Sequence, residues 1–127
     1  MAGIAVVGAS GALDPFPLER FIDEPVFELL VGEPGTYVVF ARVVIQNSDG
    51  AHQNATVRLA HGFAGPDLLD WVDIRIPNDA SYAVSLEGTL IVPDGGVSVI
   101  ELRCSTLNGF ARRPWVIAVQ VDALKFN

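Results

Sequence analysis

Residues 35–47 read GTYVVFARVVIQN. Valine, isoleucine, threonine and aromatics dominate the run, and these side chains fit a pleated, half-buried surface. A strand sends alternate side chains to opposite faces. One face then carries Tyr37, Val39, Ala41, Val43 and Ile45; the other carries Thr36, Val38, Phe40, Arg42 and Val44. A strand with one solvated face should alternate apolar with polar residues. This one is apolar on both sides, apart from Thr36 and Arg42. With 127 residues, the chain can hardly build a stack deep enough to bury both faces of a sheet. The second face is therefore expected to lie against another copy of the chain.

The runs on either side have the same character. PVFELLV precedes this strand, and ATVRLAHGF, WVDIRIP, YAVSLEGTLIV, VSVIELRCST and WVIAVQVDALKF follow it. The turns between them are signalled by Asp49-Gly50, Pro77-Asn78-Asp79, Asp94-Gly95-Gly96 and Asn108-Gly109, because glycine accepts positive φ without steric cost. Short strands at this spacing, with no long run of period 3.6, predict an all-β antiparallel sandwich or barrel. The last run splits as the first does. Trp115, Ile117, Val119 and Val121 share one face, and Val116, Ala118 and Leu124 share the other.

Composition points the same way. Half of the residues are hydrophobic and only 18% are charged, below the usual quarter, and mean hydropathy is +0.40. No run reaches the roughly 18 apolar residues of a spanning helix, so no membrane span is expected and the apolar excess implies an oligomer. The net charge of −7 repels phosphate backbones, which argues against nucleic acid as a partner. Cys104 is the only cysteine, which excludes an intramolecular disulfide, and it is expected as a buried, inert thiol. Asn54-Ala55-Thr56 fits a glycosylation sequon, a short pattern with many chance matches.

At GTYVVFARVVI the chain resembles the tumour necrosis factor and complement C1q-like jelly rolls, through their Gly-x-Tyr strand. SLEGTLIVPDGGVSVIEL resembles the hairpin that follows it, and WVIAVQVDAL stands where their last strand stands. The likeness runs from about Val26 to the C-terminus. It implies an antiparallel jelly-roll β-sandwich of about ten strands that packs as a homotrimer. It also implies that Thr36, Val38 and Phe40 line the trimer axis, joined by Trp115 and Ile117 of the last strand, while Tyr37, Val39 and Ala41 point into the sandwich. No collagen-like Gly-x-y run or cysteine pair accompanies these motifs, so the resemblance is to the bare globular head.

Catalytic chemistry finds little support. The two histidines, His52 and His61, lack the His-x-His spacing of a cupin metal site. Ser10 in GASGA lacks the spacing of a nucleophile elbow. Asp67, Asp70 and Asp73 form an acidic stretch that could offer oxygens to calcium, which some proteins of the resembled family bind. No Asp-x-Asp-x-Asp loop is present, so solvated edge residues are the plainer reading. No other cofactor is implied. TLNGFARRPW is expected as a loop. Its Phe110, Arg112 and Arg113 could hold a protein or carbohydrate ligand, since guanidinium forks grip carboxylates.

The N-terminal MAGIAVVGASGALDPFP imitates a dinucleotide fingerprint. Gly8 and Gly11 stand three apart, but Asp14 takes the place of the third glycine, and Pro15 and Pro17 stop the helix that should follow. Residues 1–25 are instead expected as an extended arm or first strand, and residues 26–127 as the jelly-roll domain. Three functions follow from these readings. The first is a non-enzymatic homotrimeric module for binding or assembly. The second is a structural knob or decoration of a larger particle, such as a phage tail or fibre tip. The third, least supported, is a metal-assisted enzyme on a β-sandwich.

Overall fold

A computed structural model describes residues 5–7, 14–62 and 67–121. Among these residues there is no helix and there are nine strands: β1 (Ala5–Val7), β2 (Phe16–Glu19), β3 (Glu24–Val31), β4 (Gly35–Asn47), β5 (Gln53–His61), β6 (Asp67–Ile76), β7 (Ser81–Val92), β8 (Ser98–Thr106) and β9 (Asn108–Val121). They form two antiparallel sheets. The first has the order β1-β9-β4-β7, with β2 also paired to β9, and the second has the order β3-β8-β5-β6. Except in the β5–β6 pair, the strands from β3 onward alternate between the sheets. The chain is an all-β jelly-roll sandwich.

Alternation along each strand makes the core. Tyr37, Val39, Ala41, Val43 and Ile45 of β4 are buried, as are Val84, Leu86, Leu90 and Val92 of β7 and Val116 and Ala118 of β9. They meet Phe27, Leu29 and Val31 of β3, Val57 and Leu59 of β5, and Ile100, Leu102 and Cys104 of β8. Each large aliphatic side chain buried here contributes about 1.5–3 kcal/mol. Cys104 is fully buried, and burial pushes its thiol well above its ordinary range. The expectation of an inert core cysteine stands.

One end of the sandwich is closed by a buried polar knot. The Asn47 amide donates to the carbonyls of Ala51, Ile76 and Pro77 at 2.9, 3.0 and 3.0 Å, and its Oδ1 accepts from the Asp49 N–H at 2.8 Å. Gln53 Nε2 also donates to Asn47 Oδ1, while Gln53 Oε1 accepts from the Asn108 N–H at 2.9 Å and the Thr106 hydroxyl at 3.2 Å. Three inter-sheet turns are thereby tied together, and buried polar groups find the partners they need.

Two sequence expectations are corrected. SLEGTLIVPDGGVSVIEL is not a hairpin, because β7 pairs with β4 while β8 pairs with β3 and β5. The turn after Val92 carries the chain from one sheet to the other. Nor is TLNGFARRPW a loop; from Asn108 onward it is the first half of β9, paired to β2 and β4. Its Pro114 lacks an N–H and is accommodated by a bulge. Arg42 pairs with Trp115 and Val44 with Arg112, leaving two residues of β9 against one of β4, with Arg113 at φ 51°. All three aspartates lie on β6, an edge strand of the second sheet.

The segment expected as an arm or first strand supplies β1 and β2, both paired antiparallel to β9. Leu18 of β2 reaches the core, and β3 already begins at Glu24. Ser10, Gly11 and Leu124 lie outside the described residues.

Candidate functional site

The outward faces of the two sheets present different side chains. On the β3-β8-β5-β6 sheet, charged groups pair with one another. Asp23 Oδ2 accepts from Arg58 Nη1 at 2.7 Å and Arg103 Nε at 2.8 Å, and Arg103 Nη1 meets Glu101 at 3.0 Å. Burial lowers the Arg103 pKa, but Asp23 and Glu101 outweigh that effect and hold the group above its ordinary value. The same face also carries exposed Leu30 and Trp71, opposite Val99 and Arg58 in the ladder.

The outward face of the five-stranded sheet carries an apolar stripe flanked by exposed Arg42, Glu87 and Arg112. The ladder aligns Thr36 with Val121, Val38 with Val119 and Phe40 with Ile117 on the β9 side of β4. On the β7 side, Thr36 lies opposite Ile91, Val38 opposite Thr89 and Phe40 opposite Glu87. Thr36, Val38 and Ile117 are half-buried, whereas Phe40 is 40% exposed, Trp115 39% and Ile91 71%. The five residues expected at an oligomer axis, Thr36, Val38, Phe40, Trp115 and Ile117, thus share one face of one sheet. Ile91 joins them although the sequence reading had not singled it out. Its signal was the alternation in TLIV, where Leu90 and Val92 turn inward and leave Ile91 outside.

The other candidates are placed as follows. Phe110 is half-buried on β9, opposite Pro17 of β2 and Gln46 of β4. Arg112 and Arg113 are exposed, and the Arg113 N–H donates to Asp14 Oδ1 at 3.3 Å. Gly109, just before them, crosses so close to the Gln46 carbonyl that a Cβ would collide with backbone.

Each aspartate of β6 has separate business. Asp67 lies 3.9 Å from His61 Nε2, and Asp73 accepts from the Thr56 hydroxyl at 2.6 Å. Asp70 accepts the Trp71 N–H at 2.9 Å and reaches β7, where it takes the Glu87 N–H at 3.1 Å. That second bond covers a donor on the edge strand of the apolar sheet, a standard way of blunting an edge. No group of three possible metal ligands occurs among the described residues. His52 is exposed beside the β4–β5 turn. Among the described residues no helix is long and apolar enough to cross a membrane.

Between Phe40 and Trp115 on one side and Asp70, Ser85 and Glu87 on the other lies an open depression of about 450 Å³. Its floor is the β4–β7 ladder. It opens on the same outward face as the apolar stripe.

No family model matches the chain, and no curated protein matches it. Solved structures do. Eiger TNF from S. frugiperda superposes with a TM-score of 0.67 at 13% identity, covering 100% of this chain and 97% of that one. A protein of infectious bursal virus derived T=1 particles superposes with a TM-score of 0.51 at 14% identity over 94% of this chain, which spans only 32% of the viral protein. The globular domain of zebrafish complement 1qA aligns at a TM-score of 0.40. The first two carry the likeness, and at such identities it is a likeness of fold. The chain has a tumour necrosis factor-like jelly-roll fold.

Proposed function

We propose that the chain is a non-enzymatic module that associates as a homotrimer through the outward face of its five-stranded sheet. The observation that carries this reading is the apolar stripe of Val38, Phe40, Ile117 and Ile91 on the outward face of the five-stranded sheet. A contiguous apolar patch of this kind marks an interaction surface on a soluble protein. Closed rotational symmetry covers it on every copy at once. The resemblance at GTYVVFARVVI supports the number three, because it implies that Thr36, Val38 and Phe40 face a three-fold axis.

The likeness to a protein of T=1 particles favours a second reading, in which the module is a structural unit of a larger assembly. Sedimentation velocity with negative-stain microscopy separates the two. The first reading expects one species of three chains; the second expects larger, regular particles. A single species of one chain overturns both.

A further inference from the structure

We propose that copies of the chain join head to tail across this face, the β9 side of one copy, with Arg112 and Arg113, meeting the β7 side of the next, with Glu87 and Asp70. The inference rests on the homotrimeric reading and names the contact that would close the ring.

The sheet order is what separates the two charge pairs. β9 and β7 flank β4 on opposite sides. Arg112 is exposed on β9, opposite Val44 and on the outward face that Trp115 also occupies. Arg113 follows at the bulge. The register of β2 ends at Ala111 and that of β1 begins at Ile117, so the basic pair sits where β9 is bonded only to β4 among the described residues. Glu87 is exposed on β7, on the far side of the stripe, and Asp70 is fixed beside it by its bond to the Glu87 N–H. None of the four makes an ion pair among the described residues, although Asp23, Arg58, Glu101 and Arg103 on the other sheet all do.

A head-to-tail ring needs two different, complementary patches on each chain. The face supplies them: a basic flank on β9, and on β7 an acidic rim around the 450 Å³ depression walled by Phe40 and Trp115. The depression is wide enough to take a long side chain from the next copy. The aromatic walls suit a guanidinium, which stacks on ring faces as well as pairing with carboxylates. In a chain of net charge −7, this contact also sets one of the few basic clusters against an acidic one, reducing repulsion between copies.

The test is a charge swap followed by light scattering over a dilution series. Glu87→Arg and Arg112→Glu are made singly and together, with folding checked by circular dichroism and melting. The expected result is that wild type associates, that each single reversal raises the dissociation concentration about tenfold or more, and that the double swap restores association. If wild type associates but neither reversal changes it, or if the double variant is no better than the singles, the head-to-tail contact is wrong while the homotrimeric reading stands. If wild type is a single chain at every concentration, the homotrimeric reading fails and takes the contact with it. Should a reversal not fold, the salt dependence of wild-type association decides. Weakening from 0.05 to about 0.5 M salt is expected for paired charges, and indifference to salt overturns the contact.

Discussion

Phe40 of β4 and Ile117 of β9 lie directly opposite each other in the ladder, on the face turned away from the core. Phe40 is 40% exposed in the isolated chain. Cross-strand pairs of this kind stabilise a sheet by a few tenths to about 1 kcal/mol, but burying the pair's outward surface needs a second molecule. Phe40→Asp puts a charge in that surface while leaving Val39 and Ala41 in place beneath it. The expected outcome is loss of association with the β-rich circular dichroism spectrum kept. A variant that runs at the wild-type mass would place the interface elsewhere.

Asn47 bonds to carbonyls on two turns and accepts from Gln53 and the Asp49 N–H. Asn47→Ala leaves several buried polar groups without a partner. Each such group costs about 1–3 kcal/mol, so a loss of about 3 kcal/mol is expected, read as a large fall in melting temperature by calorimetry. A fall of only a degree or two would mean that water replaces the side chain in the knot.

Alkaline pH is expected to destabilise the fold through two buried acids. Burial raises the Cys104 thiol above its ordinary 9.0, and burial together with Glu33 raises the Tyr37 phenol above its ordinary 10.0. The folded chain therefore keeps protons that the unfolded chain releases. Stability from these groups is fully present below pH 9 and falls as pH rises beyond it. Cys104→Ala removes the first part of that loss, so urea titrations between pH 8 and 10 should show a flatter dependence than wild type. The variant is also less stable at neutral pH, because it leaves a cavity in the core.

The β1 strand pairs Ala5, Val6 and Val7 with Val119, Ala118 and Ile117. Deleting residues before Asp14 strips that partner from β9 and exposes its edge. A lower melting temperature is expected, with stronger self-adhesion at high concentration. Unchanged melting and unchanged association would show the segment to be dispensable.

Sequence carried the inward and outward halves of β4 almost residue by residue, because burial in a strand has a period of two that any register must respect. It carried most strand positions for the same reason, but not the first half of β9. It did not carry which strands pair. The turn after Val92 has the glycines and proline of a hairpin, and nothing local distinguishes a strand that folds back beside its neighbour from one that crosses to the other sheet. Asn108-Gly109 and Pro114 read as breakers around Phe110, Arg112 and Arg113. In the fold they are tertiary devices inside a strand: glycine where β9 crosses the Gln46 carbonyl, proline where β9 bulges. The Asp70 bond to β7 was equally hidden, since it joins residues from different sheets.

The central claim is that the apolar outward face of the five-stranded sheet is covered by other copies of the chain. The absolute mass of the purified wild-type protein by light scattering tests it most directly. Three times the 13.6 kDa of the chain is expected, held on dilution to low micromolar concentration. A mass of one chain across that range would contradict it.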